Sequence, residues 1–450
     1  MRRGLLTLIV SGSVMAMVPG AAAAQSTPQI EHLVVIVEQN STFDHTFGTL
    51  PGVNGVDVGQ PIDLAGGTSA RLRGFSSLEP QDFTVPAGEE ILSNGPRAAR
   101  IAFNRGRMDG FEIAQRDAGK NADLSFTLLD PTSTSPWGNL SEQGVVFDRY
   151  FSSYLGGSLP NTLSLVAGDA YGHQQGAGAD FTSLWHSDFP TVFDRANEAN
   201  VSWKYYVGGL DRIKEAKVAD GAYARSKDAT PSALYWAPIL SMSRFWTDPS
   251  LSQNVRPQVD LFADAASGNL PAITYVLPQP ATQDADVLGP NLRLLSILNA
   301  IQTSPTWSST AVVVVWDDWG GYYDHVAPPT AKDGHQLGMR VPMLLLSPWV
   351  QGGTVSKETL DHSSIPALAT SLFGLKPIAP HTALPSGMWT ETPDNATQIE
   401  ALSHAPRYEA AGMTHARSVF GLYLLTMFVI VGVLGVVGFS MLRRPTRGGS

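Results

Sequence analysis

The chain has 450 residues, 43% of them apolar and only 16% charged, which is enough to bury a sizeable core in one large domain or two ordinary ones. It contains no cysteine, so disulfides, thiolate metal sites and a cysteine nucleophile are excluded and any metal must be held by oxygen or imidazole. The formal net charge is −10, and Arg2, Arg3, Arg443, Arg444 and Arg447 lie in the terminal segments, so the middle is more acidic still; that balance argues against nucleic acid as a partner.

Residues 1–24 open with Arg2 and Arg3, pass through a short apolar stretch and reach Ala21-Ala22-Ala23-Ala24-Gln25. That order predicts a secretory leader cleaved after Ala24, with export of the rest. Residues 32–37 then read as a buried strand. It runs out into Glu38-Gln39-Asn40-Ser41-Thr42-Phe43-Asp44-His45-Thr46-Phe47-Gly48. Oxygen donors at a strand end suit a hard divalent cation; the same residues also suit simple turn and capping chemistry. Residues 55–88 read as an excursion of turns and short strands.

Further along, Gly156-Gly157-Ser158-Leu159-Pro160-Asn161 places a hydroxyl where the backbone can approach a ligand closely. If the serine opens a helix, N–H groups would face a bound anion; the bland alternative is an ordinary turn. Pro160 stands where the strand-to-helix nucleophile elbow of other hydrolases has its second glycine. Residues 189–200 predict a helix capped by Asp188, followed by strands at 201–207 and 272–277 and a helix at 292–302 capped by Asn291. Strands alternating with helices predict an α/β fold with a mostly parallel central sheet flanked by helices, as one domain spanning 25–380.

The run Thr310 to Trp316 is continuously apolar after its first residue and ends in Asp317-Asp318-Trp319-Gly320-Gly321-Tyr322-Tyr323-Asp324-His325. Such a run predicts a strand buried on both faces, and active sites of open α/β sheets lie at the carboxyl ends of their strands. In an extended chain Asp317 and Asp318 would point to opposite sides; a tight turn at the glycine pair would bring them to one centre. Two adjacent carboxylates there repel unless a cation or proton lies between them, so metal binding is favoured over surface solvation. A further strand is predicted at 343–346. His362 opens a helix, as a structural cap in preference to a site residue. Residues 381–418 read as a stalk. Residues 419–442 carry no charge and are followed by Arg443 and Arg444, which predicts one membrane-spanning helix with a short cytoplasmic tail, 443–450, and the body outside the cytoplasm.

Taken together, the segments resemble the bacterial phosphoesterases that include phospholipases C and acid phosphatases, a branch of the alkaline phosphatase-like superfamily. The resemblance rests on residues 39–48, 156–161 and 316–329, with weaker matches at 106–111, 203–206, 270–272 and 361–364. It implies an alkaline phosphatase-like fold and a metal-dependent hydrolase that cleaves phosphate esters or phospholipids through a phosphoserine. Ser158 matches the nucleophile, and Gln39, Asn40, Ser158, Asp317 and Asp318 match the metal site; Ca, Mg, Mn or Zn is the expected ion. Gln39 stands where relatives carry Glu, with Glu38 one position earlier, so either could face the metal. Two histidines of relatives are replaced, by the segments Asn94-Gly95-Pro96-Arg97 and Gln283-Asp284-Ala285-Asp286. Arg97, Asn161 and His325 are then expected to contact substrate. The competing expectation is a non-catalytic protein binding phosphate or a lipid headgroup on the same scaffold.

Overall fold

The computed structural model describes residues 29–76, 92–130, 136–173, 184–210, 237–278, 290–378, 388–390 and 392–393. The expected leader, most of the stalk, the expected membrane helix at 419–442, the tail and the segment 283–286 lie outside these. Among the described residues, no helix is long and apolar enough to cross a membrane.

An eight-stranded sheet organises the molecule. Its strands are β1 (His32–Glu38), β2 (Val145–Phe147), β3 (Trp203–Val207), β4 (Val255–Pro257), β5 (Ile273–Leu277), β6 (Thr310–Trp316), β7 (Met343–Leu346) and β8 (Thr354–Ser356). The spatial order is β8-β2-β7-β6-β1-β5-β3-β4. From β6 to β4 every pairing is parallel. β7 runs antiparallel to both β6 and β2, while β8 is parallel to β2. The sheet is therefore mixed, with one reversed strand in an otherwise parallel array. The five strands expected from apolar runs are all present. All seven residues of β6 are buried, as a strand covered on both faces requires.

The helices used below are α1 (Phe43–Phe47), α2 (Pro96–Phe103), α3 (Phe111–Asp117), α4 (Ser158–Ala167), α5 (Val192–Glu198), α6 (Asp260–Ala266), α7 (Pro290–Gln302) and α8 (Ser364–Leu372). α4, α5 and α8 contact one another, and α6 contacts α7; both groups share the main apolar core with the sheet. The cap of α5 differs from expectation. Thr191, not Asp188, caps it, because Thr191 and Asp194 bond each other's backbone reciprocally, leaving Pro190 outside the helix. The excursion after β1 contains the short strands Pro61–Asp63 and Ser69–Arg71, paired as a hairpin, and Arg73–Ser76, paired with Thr127–Asp130.

A second, smaller core gathers Ala98, Ala99, Phe111 and Phe126 with Trp319 and Tyr323. The chain leaving β6 thus passes from one core into the other within a few residues, which fixes both ends of the aspartate turn. The folded body also reaches further than expected. Trp389 pairs with Val350 and Met388 is buried in the main core, so these residues belong to the domain and not to a stalk.

Candidate active site

β1 and β6 are neighbours in register from His32 opposite Thr310 to Glu38 opposite Trp316, so they end together. Asn40 and the aspartate pair emerge side by side at that end. Asn40 adopts a left-handed conformation, φ 58°, which asparagine tolerates better than most residues. Its N–H donates to Asp317 Oδ1 at 3.0 Å, and Ser41 N–H donates to the Asp318 carbonyl at 2.9 Å. The glycine pair makes the turn possible. Gly320 has φ 61°, and a Cβ there would lie 2.4 Å from the Asn40 carbonyl oxygen. The two aspartates are fully buried; the Asn40 segment meets Asp317 at its side chain and Asp318 at its backbone.

Ser158 is the first residue of α4, with Gly157 in extended conformation before it. Its hydroxyl donates to Asp318 Oδ2 at 2.8 Å. The loop that carries it is held from three directions. Ser152 N–H donates to the Met339 carbonyl, Ser153 N–H donates to His362 Nδ1 at 3.0 Å, and Tyr154 N–H donates to Asn161 Oδ1 at 2.8 Å. His362 Nε2 meets the Trp316 carbonyl at 2.9 Å, so one buried imidazole joins the serine loop to the strand of the aspartates. Burial pushes that imidazole down to about 4, which keeps it neutral and able to accept on one nitrogen while donating on the other.

The electrostatics follow from burial. Asp317 is pushed up to about 6 by desolvation, against the opposing pull of the Asn40 N–H and the nearby Ser158 hydroxyl. Asp318 is raised well above the ordinary carboxylate range, first by desolvation and then by the charge of Asp317. Asp317 Oδ2 is buried and makes no hydrogen bond of acceptable geometry. Unsatisfied buried carboxylate oxygen is costly. Together with Asp318, the Asn40 amide oxygen and the Ser158 hydroxyl it forms an all-oxygen donor set. That set fits a hard divalent cation such as Mg, Ca or Mn better than a soft one.

Several expected site residues lie elsewhere. Arg97 sits on the surface of α2, its guanidinium paired with Asp117 at 2.8 Å, so it does not reach the serine. What enters from that segment is Asn94, whose Nδ2 donates to Asn40 Oδ1 at 2.8 Å and to Asp318 Oδ1 at 3.0 Å. Asn161 is fully buried and its amide is used on Tyr154 and Gly157 backbone, holding the serine loop instead of facing substrate. Gln39 follows the end of β1 and is half-buried. The register sets Glu38 beside Trp316, whose ring packs on Phe47 and Trp137, and the Asp317 N–H donates to the Glu38 carbonyl at 3.0 Å. Glu38 is pushed up to about 7 by burial, with Arg293 pulling it down and Asp317 raising it.

His325 lies in a second cluster. Its Nδ1 is 2.7 Å from Asp44 Oδ2 and its Nε2 is 3.2 Å from Asn54 Oδ1. Asp44, Asp324 and His325 offer ligand atoms within 4.8 Å of one another, a spacing compatible with a divalent ion. The positive charge is already supplied there: Arg340 Nη2 is 2.7 Å from Asp44 Oδ1 and its Nε is 3.1 Å from Asp324 Oδ1. The segment from Asn40 to Asp44 joins the two clusters. Arg340 carries no signal in the sequence beyond its place before an apolar strand, and Asn94 was visible only as a departure from the resemblance.

The Phosphoesterase family model matches residues 30–376. Phospholipase C A of Mycobacterium tuberculosis is 26% identical, with 83% of this chain and 80% of that protein aligned. Non-hemolytic phospholipase C of Pseudomonas aeruginosa is 27% identical over 77% of this chain, which spans only 54% of that protein. Non-specific phospholipase C6 of Arabidopsis thaliana is 26% identical over 77% of this chain and 68% of its own length. With the family match covering most of the sequence and a serine hydroxyl bonded to a buried carboxylate at its centre, the chain belongs to the Phosphoesterase family of phosphoric ester hydrolases.

Proposed function

We propose that this chain is an exported, membrane-anchored, metal-dependent phosphodiesterase of phospholipase C type, acting through Ser158. The superfamily placement, the leader at 1–24 and the anchor at 419–442 are sequence readings that enter this proposal. The observation that carries the catalytic part is the 2.8 Å hydrogen bond from Ser158 Oγ to Asp318 Oδ2. It aims the hydroxyl proton at a carboxylate and leaves an oxygen lone pair free for attack. The ten-residue helix α4 begins at Ser158, so its first N–H groups favour an anionic phosphoryl group beside the nucleophile.

A divalent ion held by Asn40, Asp317, Asp318 and Ser158, with Gln39 as a further donor, would lower the hydroxyl pKa and neutralise phosphoryl oxygens. The chain's own residues do the rest. The Ser158 proton passes toward Asp318 as its oxygen bonds to phosphorus; the bond from phosphorus to the leaving oxygen breaks, and that oxygen takes up the proton and departs as the alcohol. Water then cleaves the phosphoserine and regenerates the hydroxyl. Asn161 and His362 hold the loop in the attacking position throughout. The relatives' phospholipase C names favour a phospholipid diester over a phosphate monoester.

The test compares p-nitrophenyl phosphorylcholine with p-nitrophenyl phosphate, with and without chelator, for wild type and Ser158→Ala. Hydrolysis of the phosphorylcholine ester that is lost on chelation and in Ser158→Ala is the expected result. Undiminished turnover by Ser158→Ala would refute the serine mechanism; preference for the monoester would reassign the substrate to the acid phosphatase type.

A further inference from the structure

We infer that the Asn94 amide competes with the cation for two of its proposed ligands, Asn40 and Asp318, so that Asn94 sets metal affinity. The inference rests on the metal reading proposed above. Asn94 Nδ2 lies 2.8 Å from Asn40 Oδ1 and 3.0 and 3.1 Å from the two Asp318 carboxylate oxygens. An amide nitrogen has two hydrogens, one for Asn40 Oδ1 and one shared between the two oxygens of the Asp318 carboxylate. The same Asp318 carboxylate takes the Ser158 hydroxyl at 2.8 Å. Several oxygen acceptors converging on one point is the surrounding a hard cation takes. Here the same oxygens accept from a neutral donor, which brings no charge to the buried carboxylate.

The backbone of Asn94 is fixed independently of this contact. Its carbonyl accepts from Trp319 Nε1 at 2.8 Å, and Trp319 is fully buried. The preceding residue is held by Gln115, which accepts from Ser93 N–H at 2.7 Å and donates to the Ser93 carbonyl at 2.9 Å. Only the side chain needs to turn. Gly157 faces it without a side chain of its own; a Cβ there would lie 3.8 Å from Asn94 Oδ1. Release of the amide therefore requires rotation about side-chain bonds and no movement of the loop.

The consequence is a closed thermodynamic cycle. If the Asn94 bonds exist only in the metal-free chain, deleting them destabilises that state alone. Metal binding must then tighten by the same amount. The experiment strips the full chain, in detergent, with chelator. It titrates manganese(II) and, separately, calcium into wild type and Asn94→Ala by calorimetry, and records thermal melting without and with saturating ion. The expected result is binding about tenfold tighter in Asn94→Ala, the size of one hydrogen bond to a charged group. Its melting temperature is lower than wild type without metal and equal to it with metal. Asn94→Ser, too short to reach Asp318, gives the same two results should the alanine variant not fold. Weaker binding by the variants, or a melting difference that persists at saturation, overturns the inference and makes Asn94 a holder of the ligands. Failure of wild type and variants alike to bind either ion overturns the metal reading, and this inference with it.

Discussion

Arg340 and Asp44 face each other with no solvent exposure on either side chain, Nη2 to Oδ1 at 2.7 Å. The guanidinium also bonds Asp324 through Nε, donates to the Asn54 and Asp148 carbonyls, and lies over the Phe43 ring at 4.3 Å. One cation thereby ties the loop after β1 to the loop after β6. Removing one partner of a buried pair leaves the other charge unpaired, which costs about 3–5 kcal/mol.

Arg340→Met is accordingly expected to destabilise the chain by about that amount, measured as a lowered urea midpoint at pH 7.5. Arg340→Lys recovers only part, since one ammonium cannot serve two carboxylates and two carbonyls in the same geometry. A variant within about 0.5 kcal/mol of wild type would mean that the network is solvated in solution.

His362 makes a different kind of link. It accepts from the Ser153 N–H and meets the Trp316 carbonyl, touching neither the serine nor the aspartates. His362→Ala strands a buried N–H and a buried carbonyl, for about 2–4 kcal/mol of stability. Its effect on catalysis is expected in kcat, with KM little changed, because the loop loses alignment while the binding groups remain. His362→Gln, which can offer both an acceptor and a donor, restores part of the rate. A change confined to KM would place His362 against the substrate.

Gly320→Ala tests the turn itself. The added Cβ would lie 2.4 Å from the Asn40 carbonyl oxygen, in a left-handed conformation that alanine resists. The expected outcome is a loss of about 2 kcal/mol or more in stability, with metal affinity reduced because Asn40 and Asp318 are both displaced. Calorimetric affinity equal to wild type would separate the turn from the metal site.

Much of this arrangement was legible in the sequence for a simple reason. A β-branched run buried on both faces has no other comfortable fate, and two acids at its end have few. That made β6, β1 and the aspartates readable, and the glycine before Ser158 marked a helix start. The reversed strand β7 was not readable, because an apolar run of four carries no direction. Asn161 and Arg97 lie elsewhere than expected for a shared reason: a polar residue in a glycine-rich or turn segment looks the same in sequence whether it faces the ligand, the backbone or the solvent. Asn161 spends its amide on the serine loop, and Arg97 is drawn out by Asp117. Asn94 escaped because an asparagine before a glycine and a proline reads as a turn.

The pH dependence of the metal-free chain carries the sharpest sign. Burial holds Glu38 up to about 7 and Asp318 well above its ordinary range. His325 is also raised: burial opposes its charge, but the Asp44 hydrogen bond and charge prevail. His45 and His362 are lowered to about 4 by burial and act in the opposite sense between there and the ordinary histidine value. At pH 6.5 those two are neutral in the folded chain and about half protonated in the unfolded one, so their opposing contribution is small and fades as pH rises further. From there to pH 8 the folded chain still holds protons on Glu38, Asp318 and His325 that the unfolded chain has released or is releasing, so stability falls as pH rises. The stripped protein is therefore expected to melt at a lower temperature at pH 8 than at pH 6.5. A bound divalent ion requires Asp317 and Asp318 to be deprotonated, so saturating manganese should flatten or reverse that slope. Asp318→Asn should raise the pH 8 melting temperature of the stripped protein, because folding no longer has to protonate a buried carboxylate, and should abolish the response to manganese. A slope that is unchanged by the ion in wild type would locate the titrating groups away from the aspartate pair.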